Sequence, residues 1–340
     1  MIPHHRDRVA TAAKLAVGAL ASCLVLTCFA IAALLAARPE TTLAVLQRPT
    51  STPSPTATLS PTFTATRIPE PTATLPPSPT PSPVDPQPHQ WLARPFGSEH
   101  NREATRYYPY GSTGGGKYRV HRGCDFPNPF GTPVFAPAKG RVIVAGNDQR
   151  VIHGERVGFY GQLVIIQLEE TYRGEKIYVL YGHLSKVHVR FLQEVSEGDL
   201  IGEVGMSGVA IGPHLHLEVR VGKNSYQNTR NPELWLEPLE GKGTLVGTLV
   251  DERGQPIPRQ NLTVYRSEAS DQRWQDAISY SEGEVNSDEE WLENFVLADV
   301  PAGSYLIKTY VNGRLFAQEF AIADGEITRV IVQTSLPESP

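Results

Sequence analysis

In the run Gly212-Pro213-His214-Leu215-His216-Leu217-Glu218-Val219-Arg220, apolar and polar residues alternate at period two. Such alternation marks a β-strand, because successive side chains point to opposite faces of a sheet. Leu215, Leu217 and Val219 then face a core, and His214 and His216 stand side by side on the other face. Buried leucines hold the neighbouring imidazoles rigidly, which suits a functional site. Two imidazoles alone do not complete a tetrahedral zinc site, and a surface strand with two chance histidines has the same pattern. The remaining ligands have to come from elsewhere in the chain.

The chain has 340 residues, a length that allows about two domains plus attachments. Its formal net charge of -5 comes with no basic run, which argues against nucleic acid as a partner. The cysteines are Cys23, Cys28 and Cys124, the first two in an apolar segment. That pattern excludes a disulfide framework and a zinc ribbon. Leu15 to Ala36 is a run of 22 residues without charge, enough to cross a bilayer core of roughly 30 Å as a helix. Arg6, Arg8 and Lys14 precede it, favouring an N-inside orientation with everything after Arg38 outside the cytoplasm. The reading is an uncleaved signal anchor: residues 1–14 cytoplasmic, 15–37 a single transmembrane helix, the rest extracytoplasmic at the cell membrane. A cleaved signal peptide and a lipoprotein box at Leu20-Ala21-Ser22-Cys23 are the rivals, and all three export the chain.

Residues 38–90 read as a disordered linker. Thirteen of the 29 prolines fall between Pro49 and Pro88, amid Thr, Ser and Ala, a composition that holds neither a hydrogen-bonded ladder nor a core. As polyproline II it reaches on the order of 120 Å; disordered filler with no spacing role fits the composition equally. Residues 91–239 have the texture of a β-rich domain, with short runs such as Pro133–Ala136, Gly140–Val144, Gln162–Ile166 and Lys176–Tyr181 bounded by Gly, Pro and Asn. Residues 243–336 repeat it as a small antiparallel sandwich, with a hairpin signal at Val311-Asn312-Gly313-Arg314. The charged stretch Ser281–Asn294 reads as an inserted loop or short helix. The fold class is therefore all-β.

Upstream of the opening strand lies His121-Arg122-Gly123-Cys124-Asp125. In an extended chain residues i and i+4 share a face, so His121 and Asp125 converge while Gly123 leaves room between them. With one of His214 and His216 they make three protein ligands for zinc, and an open fourth position separates a catalytic site from a structural one. Alternation does not choose between the two histidines. Tyr181-Gly182-His183-Leu184-Ser185 offers a further imidazole at a strand end, suited to proton transfer near neutral pH. Cys124 points the other way, as a buried thiol. His100, His153 and His188 follow no ligand spacing and read as surface residues, and Met206 and Trp235 read as core. Tyr108, Tyr110 and Gly114-Gly115-Gly116 fit a flexible groove wall or an ordinary turn equally well.

The set His-x-Gly-x-Asp, Tyr-Gly-His-Leu-Ser and Ser207-Gly208 with Gly212-Pro213-His214-Leu215-His216 resembles the lysostaphin-like (LytM-type) zinc endopeptidases, which cut the peptide part of bacterial peptidoglycan. The resemblance spans about residues 95–235. It implies a two-layer antiparallel β-sheet with a groove, His121, Asp125 and His216 as zinc ligands, and His183 and His214 as catalytic histidines. It also implies peptidoglycan peptides as the substrate. Members that bind the wall or activate another hydrolase without cutting are the alternative; they lose ligands, and all five positions are present here. Glu218 shares the strand face of His216 and reads as a structural carboxylate at the sheet edge, with orientation of a ligand ring as the alternative. Gly247–Asp251, Gly254–Ile257 and Val300–Tyr305 resemble the carboxypeptidase regulatory-like or transthyretin-like sandwiches, with a spacer, wall-binding or protein-contact role open.

Overall fold

The computed structural model describes residues 86–281 and 283–334. The expected cytoplasmic N-terminus, the helix at 15–37 and the linker up to residue 85 lie outside the described residues. Among those described, no helix is long and apolar enough to cross a membrane, and the helical elements are three single 3-10 turns.

The first half comprises β1 (Cys124–Pro127), β2 (Pro133–Phe135), β3 (Gly140–Asn147), β4 (Gln162–Tyr172), β5 (Glu175–Leu184), β6 (Lys186–Val187), β7 (Glu194–Val195), β8 (Leu200–Glu203), β9 (His214–Val221) and β10 (Thr229–Arg230). A seven-stranded sheet runs β1-β9-β5-β4-β3-β7, with β10 also on β9, and a three-stranded sheet runs β2-β8-β6. Every pairing in both is antiparallel, as the resemblance implied. β9 is an interior strand, so both its edges are hydrogen-bonded. Leu215, Leu217 and Val219 are fully buried in the core they were expected to join, together with Trp235. Met206 departs from expectation and is about half exposed, at 49%. It sits in the loop before β9, where the backbone has no ladder partners and stays at the surface to be solvated.

The second half comprises β11 (Lys242–Val250), β12 (Asn261–Arg266), β13 (Arg273–Ile278), β14 (Phe295–Pro301), β15 (Gly303–Val311), β16 (Arg314–Ile322) and β17 (Ile327–Gln333). Two sheets, β14-β11-β17 and β13-β12-β15-β16, enclose a separate core. Asn312 and Gly313 form the two-residue turn between β15 and β16, both at positive φ, 51° and 77°, which is what an Asn-Gly hairpin demands. The antiparallel expectation fails at one place. After β16 the chain crosses to the other layer, so β17 lies parallel to β11.

The stretch after β13 forms turns, not a helix, and docks on the first half. Trp291 is buried, and with Val246 and Val296 it belongs to the core of the first half. Tyr172 donates to Asp288 at 2.8 Å, Arg230 pairs with Glu289, and Arg94 grips Asp299 through two bonds of 3.0 and 2.7 Å. Both members of that last pair are almost completely buried. Replacing Asp299 by Ala strands a guanidinium in the interior, and should cost about 3–5 kcal/mol in urea denaturation. Arg141→Ala, which breaks an exposed pair with Glu194, should change stability by less than about 1 kcal/mol.

Candidate metal centre and its groove

Strand register builds most of the centre. Asp125 on β1 lies directly opposite His216 on β9, which brings their side chains to roughly 5 Å spacing at the Cβ atoms. His121 arrives from the loop before β1. The extended stretch expected over 121–125 begins only at Cys124, with a bend at Gly123, yet the two side chains still converge. Gly123 is indispensable to this approach: a Cβ there would lie 2.4 Å from the Leu217 carbonyl oxygen and 2.7 Å from His216 Cε1. Gly182 plays the same part on the other flank, opposite His216 in the β5–β9 register, because a Cβ would press 2.9 Å from the Tyr160 ring.

His121 Nε2, Asp125 Oδ1 and His216 Nδ1 come together within 4.8 Å, at mutual distances of 3.2, 3.1 and 2.8 Å. His214 points Nε2 toward the same carboxylate oxygen, 3.7 Å away. The His183 and His214 rings lie 4.9 Å apart, beside the cluster. All five expected residues thus share one place, and Cys124 is buried beneath it as a free thiol.

Each histidine has one nitrogen held by an acceptor. His121 Nδ1 donates to the Tyr108 carbonyl at 2.6 Å, His183 Nδ1 to that of Ser207 at 2.8 Å, and His214 Nδ1 to that of Gly212 at 2.8 Å. A carbonyl only accepts, so each of these nitrogens carries a proton, and its partner nitrogen is left to face the cavity. His216 Nε2 faces Glu218 at 3.2 Å. Glu218 is fully buried in the sheet interior, not at an edge, and is gripped by Arg220 at 2.7 Å and by the Tyr160 hydroxyl. The edge reading of Glu218 is therefore replaced by its alternative: the carboxylate orients the His216 ring.

The electrostatics agree. Burial pushes the Glu218 carboxyl up, but the Arg220 charge and the hydrogen bond from His216 win and hold it at about 2. Burial pulls His216 down, yet hydrogen bonds to Asp125 and Glu218 prevail and raise it to about 9, so the cavity favours positive charge at this point. Burial, reinforced by the nearby His216 and His214 rings, depresses His183 to about 3 and keeps that imidazole neutral. His183 also sits at φ 60°, a left-handed conformation uncommon for a bulky residue. His121 Nε2, Asp125 Oδ1 and His216 Nδ1, converging in a cavity that favours positive charge, make a candidate cation site.

Tyr160 was not legible as a site residue, whereas Tyr108, read as a groove wall or an ordinary turn, does line the groove. Tyr160 stacks beside His216 at 5.7 Å, and Tyr108 lies flat on His121 at 4.3 Å. Glu218 and Arg220 were within reach, since they continue the polar period of His214 and His216 along β9. A groove of about 760 Å³ opens over the cluster, walled by Tyr108, Tyr118, Phe159, Ile211 and Tyr226.

An all-β sheet that sets a His-Asp-His cluster beside two further imidazoles on a groove floor defines a candidate metal centre of hydrolase type. Residues 119–229 match the family model described as Peptidase family M23, and this segment belongs to that family. The segment's expected likeness to lysostaphin is borne out: lysostaphin of Staphylococcus simulans is 30% identical over 169 residues, 48% of this chain and 30% of that protein. Peptidoglycan DD-endopeptidase ShyA of Vibrio cholerae is 39% identical over 101 residues, 30% of this chain and 20% of that protein. The matches thus span about a fifth to a third of these relatives' length. Among solved structures, the catalytic domain of lysostaphin from S. simulans aligns at 30% identity over 39% of this chain and 89% of that one, with a TM-score of 0.31.

Glu218→Ala should weaken metal binding by about 10–100-fold, as loss of a group orienting a ligand does. Competition against a chromophoric chelator measures this, with circular dichroism to confirm the fold.

Proposed function

We propose that the protein is a zinc-dependent endopeptidase that hydrolyses peptide bonds in bacterial peptidoglycan stem peptides or cross-bridges. It acts outside the cytoplasm, tethered to the membrane by the apolar segment Leu15–Ala36 through the Pro/Thr/Ser-rich linker. The convergence of His121 Nε2, Asp125 Oδ1 and His216 Nδ1 carries the reading. Two imidazoles and a carboxylate suit zinc, and three protein ligands are the number found at catalytic zinc sites. Zinc held by them supplies Lewis acidity to a carbonyl and lowers the pKa of water.

The chain's own residues supply the rest. His183 and His214 turn their rings to the groove, each fixed by a backbone carbonyl. One accepts the proton of the attacking water; once protonated, it donates to the departing amine. The other, once it has taken up a proton from solvent, donates from Nε2 to the developing oxyanion. Tyr108 and Tyr118 on one side and Ile211 on the other give the groove apolar walls that exclude water from an extended peptide. The substrate class is supported by ShyA, which is described as a peptidoglycan DD-endopeptidase.

The purified protein should hold about one zinc per chain and release peptide fragments from isolated walls, read by mass spectrometry across several wall chemotypes. Zinc without cleavage of any wall would transfer the reading to a binding or activator protein. His216→Ala should lose both metal and turnover, whereas His214→Ala should keep the metal and lower kcat by roughly 10²–10⁴-fold. Equal zinc loss in the two variants would refute the division of labour.

A further inference from the structure

The groove over the metal centre adjoins a second opening. Thr105, Tyr107 and Pro127 line the groove and also a neighbouring cleft of about 750 Å³. The far wall of that cleft belongs to the sandwich, where Gln275–Ile278 of β13 line it. β13 is the outermost strand of its sheet and pairs with β12 alone, so one of its edges has backbone donors and acceptors without a ladder. Such an edge is a template for another extended chain. Its sequence, Arg-Trp-Gln-Asp-Ala-Ile, contains no proline to block pairing. At the same wall Asp276 keeps Oδ1 buried without any hydrogen-bond partner, while Oδ2 pairs with Arg273. Tyr107, on the shared rim, is 95% exposed and offers a face for a passing chain.

We propose that this cleft is a second subsite for the wall peptide, in which the arm of a cross-linked peptide leaving the groove past Tyr107 adds to β13 as an extra strand. The inference rests on the peptidoglycan reading above. A cross-linked wall peptide has two extended arms, and the fold has two adjacent channels, the groove and a cleft between the first half and the sandwich. The groove takes the arm that is cut, and the cleft takes the arm that is retained. The Asp276 carboxylate, 36% exposed, accepts from a peptide N–H or an ammonium group of that second arm. The sandwich thereby selects cross-linked over single stem peptides.

The test uses the full-length, zinc-loaded chain in detergent, made inactive by His214→Ala, with two soluble probes: a disaccharide carrying one stem peptide, and the cross-linked dimer of two. Calorimetry should show the dimer binding about tenfold more tightly than the monomer. Gln275→Trp fills the cleft; the side chain it replaces bonds only the Asp276 carbonyl at 3.2 Å. This change should abolish the dimer's advantage and leave monomer affinity unchanged. Should that variant fail to fold, Asp276→Asn gives the same readout, with the loss again confined to the dimer. Unchanged dimer affinity, or equal loss for both probes, overturns the subsite. If the wild-type zinc-loaded chain cleaves no wall, the endopeptidase reading falls, and the dimer preference still decides the cleft.

Discussion

The centre depends on the buried charge alternation along β9 and its neighbour: Asp125, His216, Glu218 and Arg220 follow one another as acceptor, imidazole, acceptor and cation. Glu218 and Arg220 are both fully buried, where an unpartnered charge of either sign costs several kcal/mol. Each therefore holds the other in place, and Glu218 has one oxygen left to fix His216. The imidazole consequently turns Nδ1 toward Asp125 and His121. Tyr160 closes the arrangement by donating to Glu218 and stacking on His216.

The other three histidines are fixed by a cheaper device, the backbone carbonyl. Tyr108, Ser207 and Gly212 each present a main-chain oxygen to one imidazole. Such preorganisation means that no ring has to reorient when charge develops in the groove. It also makes the loops around the sheet as consequential as the strands. The loop carrying Tyr108 is secured from both halves of the chain: the Tyr110 hydroxyl donates to the Thr229 carbonyl of β10 at 2.9 Å and accepts from the Asn286 N–H at 3.3 Å. Ser281 donates to the Gly111 carbonyl at 3.3 Å. The sandwich thus supports one wall of the groove.

Much of the β1–β9 layout was legible because period-two alternation and a glycine at a close approach are local properties. Leu215, Leu217 and Val219 could be assigned to the core from their spacing, and Gly123 from its place between two ligands. The choice between His214 and His216 could not, since both share a face and only the register against Asp125 separates them. Met206 and Glu218 were misplaced for the same reason: burial depends on what covers a residue, which sequence spacing does not encode. The parallel β17 and the docking of Trp291 follow from long-range crossings that no local pattern announces.

By itself the sequence determined the strands, the convergence of His121 with Asp125, and the supply of imidazoles, because these follow from side-chain alternation and backbone sterics. Tertiary structure decided which nitrogen of each histidine faces the cavity, that Glu218 is buried against Arg220, and that the sandwich borders the groove. Those outcomes depend on acceptors contributed from 2 residues away, as with Gly212 and His214, to 24 residues away, as with Ser207 and His183. Only the folded chain brings such partners within hydrogen-bonding distance.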